Sequence, residues 1–262
     1  MIVANNDILV LILSTTNPKY QEFKQAIRDT WVKDLQEHGV KCFFYEGGEL
    51  ENSVDGDTLK LNAPDDIFGV SKKLIAAIHF IFELHPQTKI IYRTNLSSYI
   101  DVNAFLRFIE DNQLDNEIYA GYLGTESIFR ERFYQFKILY FLMRFIKFGK
   151  KIRFASGSGF FLGTTHCRKL LSSRVNFHLV DDIMVADTIK VSPSQLVVPL
   201  RLMVSDKTRS SIDERTYDQL VHEKNLFHYR FKTDDREQDA ALLMHFGDKS
   251  FRRIFFTGNN NQ

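Results

Sequence analysis

Three apolar runs separated by two amphipathic stretches of helix length constrain this chain more than any other feature. Ile8–Leu13 is a run of six aliphatic residues, "VKCFFYEG" (40–47) is a second strand-like segment, and Lys89–Tyr92 is a third. Between the first two lies "PKYQEFKQAIRDTWVKDLQEHG", in which Tyr20, Phe23, Ile27, Trp31 and Leu35 recur at helical spacing and Gly39 marks the stop. Between the second and third, "KKLIAAIHFIFELH" reads as another helix, ended by Pro86. Strand, helix, strand, helix, strand predicts an α/β fold whose mostly parallel central sheet is flanked by helices on both faces.

In such folds a ligand site is expected just past the carboxyl ends of the strands. The third run leads into Arg93-Thr94-Asn95-Leu96-Ser97-Ser98, with no carboxylate before Asp101. Asp101 can cap a helix that turns Phe105, Leu106 and Ile109 inward. The second half is less regular. "EIYAGYL" is a strand, "FASGSGFFLG" joins strand residues to glycines, "VDDIMVADTI" opens a helix with two acids, and "LFHYRFK" is a short strand. No linker separates the halves, so residues 1–262 read as one continuous domain with an irregular second half.

A chain of 262 residues, 44% hydrophobic and 26% charged, can bury a sizeable core. Its net charge of +1 argues against a dedicated nucleic-acid partner. Two cysteines, Cys42 and Cys167, are too few for a disulfide framework or a zinc site and read as buried thiols. The first apolar run is too short to span a bilayer, and no basic segment or cleavage site precedes it, so the expectation is a soluble, cytoplasmic protein. The stretch 130–154 holds eight Lys or Arg against one Glu among many aromatics. It reads as an amphipathic helix on the sheet or as a surface making peripheral contact with an anionic membrane.

Asp181 and Asp182, at a helix start, suit either an N-terminal cap or a general base. Gly157 and Gly159 allow close approach of backbone to ligand, or simply a bulge. His228 is a candidate metal ligand or phosphate donor, although a histidine among aromatics is more often a satisfied core residue. Arg230 and Lys232 share its alternating strand face and could form one cationic edge with it.

The order of these features resembles the fringe-like β1,3-glycosyltransferases, inverting enzymes of the GT-A type that use nucleotide-sugar donors. "RDTW" (28–31) looks like the family's Arg-x-Thr-Trp signature. "IIYRTNLSSYIDVNAFLRFI" resembles the segment that carries an Asp-Asp-Asp run in relatives, followed here by "YAGYL" and "FASGSGFFLG". "VDDIMVADTI" resembles the acidic helix start that supplies the catalytic base there, and "LFHYR" the late metal-binding histidine.

The resemblance implies transfer from a UDP-sugar to a carbohydrate or glycoconjugate hydroxyl with inversion. It also implies a nucleotide-binding half over about 1–110 and an acceptor or catalytic half over about 111–262, with 130–154 as an alternative acceptor-binding lid. Asp181 or Asp182 would be the base. Ser14, Thr15 and Arg28 would lie near the nucleotide, and Arg93, Asn95 and Ser97 would line the diphosphate and ribose, with Gly157 and Gly159 near the sugar. His228, Arg230 and Lys232 would serve the diphosphate. Asn95, Leu96 and Ser97 stand where relatives have three acids that bind a divalent ion. A hard cation normally wants at least one carboxylate, so no cofactor is expected, and Mn²⁺ or Mg²⁺ would need a site rebuilt around His228. Two rivals follow: a fold that keeps its nucleotide or sugar pocket without catalysing, and a membrane-surface protein acting through 130–154.

Overall fold

The computed structural model describes residues 4–128, 151–191, 196–223, 226–233 and 235–258. The first half runs β1 (Ile8–Leu13), α1 (Gln21–Ile27), α2 (Lys33–Glu37), β2 (Lys41–Glu46), β3 (Ser53–Asp55), β4 (Thr58–Lys60), α3 (Val70–Leu84), β5 (Ile90–Asn95), β6 (Ser98–Ile100) and α4 (Val102–Asp111). The second half runs β7 (Tyr119–Ser127), β8 (Lys151–Gly163), α5 (Thr164–Ser172), α6 (Asp181–Ile189), β9 (Leu196–Val197), β10 (Arg201–Val204), α7 (Glu214–Asp218), β11 (His228–Phe231), α8 (Arg236–His245) and α9 (Lys249–Thr257).

Among the described residues the main sheet has the order β3-β4-β2-β1-β5-β8-β7-β9, and a second sheet has the order β10-β11-β6. β2, β1 and β5 pair in parallel, as the strand–helix alternation requires. β8 then enters antiparallel to both β5 and β7, so the sheet is mixed rather than mostly parallel on that side. The side-chain alternation of β1 explains why it reads as an unbroken apolar run. Val10 and Ile12 join the core on one face while Leu9 and Leu11 join that on the other.

The helical stretch predicted between Pro18 and Gly39 is broken by a wide turn over Arg28–Val32. Thr30 leaves helical geometry (φ −113°, ψ −112°), and its hydroxyl donates to the Ala26 carbonyl at 2.6 Å. That bond offers the backbone an alternative to the regular ladder. The adjoining Trp31 is fully buried, and its indole N–H donates to the Ser98 carbonyl at 3.0 Å. It thereby pins the strand that follows the Asn95–Ser97 loop.

Beneath β5, Phe105 and Phe108 stack on Phe161 at 5.5 and 5.6 Å, with Tyr92 and Phe227 completing the cluster. Much of the phenylalanine content is thus core. Asp101 caps α4, accepting from the Ala104 amide at 3.1 Å, and pairs with the buried Arg252 at 2.6 Å. Cys42 and Cys167 are buried thiols, and burial pushes both well above their ordinary range. Of the basic aromatic segment, residues 151–154 belong to β8 rather than to a helix, and 129–150 lie outside the described residues. No helix among the described residues is long and apolar enough to cross a membrane.

Candidate active site at the carboxyl ends of the central strands

A cleft of about 660 Å³ opens where β1 and β5 end and where α3 and α6 begin, with β8, β10 and β11 forming the other walls. Its floor is Arg93, which is 2% exposed in the interior of the sheet. The guanidinium donates through Nε to the Tyr45 hydroxyl at 3.1 Å, through Nη1 to the Gly157 carbonyl, and pairs through Nη2 with Asp181. A buried arginine requires such partners, because desolvating an unpaired charge is costly.

Asp181 and Asp182 occupy the first turn of α6, where the helix dipole favours negative charge. The N-cap position itself is Val180, but Asp182 accepts a first-turn amide, so the pair serves the helix start as a capping reading expects while also reaching the cleft. The two carboxylates have different surroundings. Asp181 is buried against Arg93. Asp182 is less buried and lines the cleft; its Oδ2 accepts from the Gly157 amide at 2.7 Å and its Oδ1 from the Ile183 amide at 2.8 Å. Burial, and next the neighbouring Asp181 charge, raise the Asp182 carboxyl to about 6 against the pull of those amides and of Arg93. The two adjacent carboxyls thus have different surroundings: Asp181 is paired with a cation, and Asp182 faces the cleft with its carboxyl raised.

On the opposite wall Arg230 donates through Nη1 to the Ser97 hydroxyl at 2.6 Å and to Asn95 Oδ1. Asn95 Nδ2 donates in turn to the Gly157 carbonyl at 3.2 Å, linking the β5 loop to the β8 glycine. Lys232 is exposed at the rim. Sequence reasoning overlooked Arg201, which lines the cleft from β10. Its Nη1 donates to the Ser156 hydroxyl at 3.1 Å and to Ser158 Oγ, and its guanidinium lies 4.1 Å from the centre of the Tyr122 ring.

The structure therefore brings Arg93, Asn95, Gly157, Asp181, Asp182, Arg230 and Lys232 together around one cleft, with Ser97 bonded to Arg230 at its edge. Other candidates lie elsewhere. Gly159 faces inward, and a Cβ there would collide with the Tyr92 hydroxyl and the His228 ring. Its small size serves packing, so the expected approach of a sugar at this position is not what the geometry provides. Arg28 pairs with Asp57 through two contacts of 2.8 Å and lies over Phe44. Ser14 is buried with its hydroxyl on Glu46 at 2.8 Å, and Thr15 donates to Asp65 at 2.8 Å; the cleft wall from this strand is Leu13.

Asp65, also overlooked in the sequence, ties three segments together. It accepts from Thr15, from the Thr16 amide at 2.7 Å, from the Gly47 amide at 3.1 Å and from Lys73 at 2.7 Å. Burial alone would raise its carboxyl, but the Lys73 and Thr16 bonds outweigh burial and hold it at about 2. Because this lies below the unfolded value of about 3.9, the stabilisation is complete above pH 4 and is lost as pH falls through about 2. Asp65→Asn is expected to cost roughly 2 kcal/mol at pH 7. Urea unfolding at pH 7 and pH 2 should show that difference shrinking in acid; an equal cost at both would remove the electrostatic account.

The fold's usual divalent ion does not suit the residues present. Leu96 is buried in the core, and Asn95 Oδ1 already accepts from Arg230. His228 is 3% exposed; its Nε2 contacts Ser98 Oγ at 3.0 Å and its Nδ1 the Tyr92 hydroxyl at 3.3 Å. Burial, followed by the charges of Arg201 and Arg230, pushes the imidazole well below its ordinary range. Among the described residues no three His, Cys, Asp or Glu side chains converge as a metal site.

A mixed sheet flanked by helices, with its cleft at the strand ends and an acidic helix start facing it, is the architecture of a GT-A-type glycosyltransferase. The chain belongs to the Galactosyltransferase family, whose match covers residues 22–196, and the resemblance to fringe-like β1,3-glycosyltransferases holds. It is 24% identical over 133 residues to the UDP-GalNAc:beta-1,3-N-acetylgalactosaminyltransferase 1 of Rattus norvegicus, covering 45% of this chain and 40% of that protein. Against the Homo sapiens protein of the same name it is 23% identical over 141 residues, covering 48% and 43%. The aligned part thus spans about two fifths of these curated relatives' length. Among solved structures, a glycosyltransferase involved in glycosylation of the major capsid of PBCV-1 superposes with a TM-score of 0.50 at 11% identity, covering 91% of this chain and 98% of that one. That likeness concerns the fold alone.

Proposed function

We propose that this protein transfers a sugar from a UDP-sugar to a carbohydrate or glycoconjugate hydroxyl with inversion, and that Asp182 is the base. The observation that carries this reading is the separation of the carboxylate pair: Arg93 holds Asp181, while Asp182 faces the cleft with its carboxyl raised to about 6. A base tuned near the working pH combines the correct protonation state with useful proton affinity. The relatives' names, which specify a UDP-linked donor and a β-1,3 product, support the donor class.

In the reaction, the acceptor hydroxyl gives its proton to Asp182 as its oxygen attacks the anomeric carbon. The bond from that carbon to the β-phosphate oxygen breaks, its electron pair stays on the phosphate, and UDP departs. Attack opposite the leaving group inverts the centre. The Ile183 amide of the first turn and the Gly157 amide of β8 hold Asp182 in place, and the fixed Asn95–Gly157 contact keeps the β5 and β8 walls in register, so little reorganisation is needed at the reacting centre.

The test is a panel of UDP-sugars offered with mono- and disaccharide acceptors, read by UDP release and by proton NMR of the product's anomeric centre. Transfer with inverted configuration is the expected result. UDP binding without release from any donor would favour instead a non-catalytic sugar-nucleotide binder, the reading to which the missing acid run lends weight.

A further inference from the structure

If the cleft takes a nucleoside-diphosphate sugar, two negative phosphates must be neutralised somewhere within it. Of the basic side chains nearby, one guanidinium is paired, one imidazole is neutral and one lysine lies at the edge. Arg93 is committed to Asp181, the buried His228 has both ring nitrogens engaged, and Lys232 is at the solvent rim. Two further arginines, Arg201 and Arg230, line the cleft wall from adjacent parallel strands. Arg201 pairs in register with His228, and Met203 with Arg230, so the two arginine side chains share one face of the small sheet.

Arg201 has an unusual environment for a largely enclosed cation. Its partners among the described residues are the hydroxyls of Ser156 and Ser158 and the face of Tyr122, and no carboxylate there pairs with it. Hydroxyls and a ring orient a guanidinium without cancelling its charge. Arg230 reaches the loop at which relatives carry their acids, donating to Asn95 Oδ1 and Ser97 Oγ. The loop has thus exchanged acids that would recruit a cation for neutral oxygens that orient one belonging to the chain itself.

We propose that Arg201 and Arg230 together take the place of a divalent ion, binding the donor diphosphate and stabilising the charge that develops on it as the nucleotide leaves. Guanidinium groups match phosphate oxygens through paired N–H donors, and preorganised donors of this kind stabilise a departing phosphate. The inference rests on the donor reading above, but it can fail separately from it.

The experiment is isothermal titration of the full chain with UDP and uridine, each in EDTA and in Mn²⁺, and with inorganic pyrophosphate in EDTA. The variants are Arg201→Gln, Arg201→Lys and Arg230→Gln, each checked for an unchanged circular dichroism spectrum. UDP affinity should differ less than about twofold between EDTA and Mn²⁺. Each Gln variant should weaken UDP and pyrophosphate by roughly 10–100-fold while leaving uridine unaffected, the effect expected for losing a charge-assisted contact. Arg201→Lys, which keeps the charge but not the fork, should fall between. Loss of UDP binding in EDTA with recovery in Mn²⁺ overturns the proposal, as does wild-type UDP affinity in both Gln variants. Pyrophosphate binding that depends on the two arginines, alongside no gain from the uridine moiety, supports the anion site while rejecting the UDP reading. Absence of binding by either ligand in any medium rejects both.

Discussion

Asp182→Asn is expected to leave nucleotide binding intact and to lower transfer by at least roughly 10²-fold, the lower range for loss of a general base. Asn retains an oxygen to accept from the Gly157 amide, so the local geometry should survive. Wild-type activity limited by this group should rise about tenfold per pH unit below 6 and level off above it, and the variant's residual activity should lose that limb. A second readout separates catalysis from structure. The Asp182 carboxyl is raised above its unfolded value, so its contribution to stability is full below about pH 4 and is lost as pH rises through about 6. Removing the charge should therefore stabilise the fold at pH 7, by of order 1–2 kcal/mol after allowance for partial solvent screening, and hardly at pH 4. An inactive variant that melts higher at neutral pH fits a base held at a cost to the fold. One that melts lower points to a structural carboxylate, and full activity would remove Asp182 from the mechanism.

The parts of this molecule legible in its sequence are those set by local pattern. β1 could be read because both of its faces are buried, which excludes charge from every position. Likewise α4 could be read because Asp101 stands at its cap with Phe105 and Ile109 at helical spacing behind it. Asp181 and Asp182 were legible through the order of motifs, not through any physical property of two adjacent acids. What distinguishes them, the guanidinium of Arg93, comes from a strand nearly ninety residues earlier in the chain. Arg201 and Asp65 were invisible for the same reason. Arg201 has meaning only when β8 presents Ser156 and Ser158 to it, and Asp65 only when the ends of β1 and β2 converge on it. Gly159 was misread because its space is taken by Tyr92 and His228 from two other strands. The Thr30 wide turn falls in a stretch whose apolar spacing is regular, so the hydroxyl bond that breaks the helix leaves no trace in the periodicity.

The second large effect concerns the Arg93–Asp181 pair itself. Arg93→Met should cost about 3–5 kcal/mol, because it strands Asp181 as a buried carboxylate beside Asp182 with no cation to hold it. Asp181→Asn should cost less. Arg93 also feels the charge of Asp182, so a second carboxylate remains to offset the guanidinium. The same loss removes a like charge from beside Asp182, and the acid limb of activity should move to lower pH in this variant. Arg93→Met with Asp181→Leu removes both charges at once and should recover much of the single Arg93→Met loss, since neither partner is left buried and alone. Urea unfolding of the four proteins at pH 7 measures the coupling directly. A double variant that costs the plain sum of its singles would mean that the pair acts as two independent packing residues. Strong coupling combined with a shifted pH limb in Asp181→Asn would place one interaction behind both the stability of the sheet floor and the tuning of the base above it.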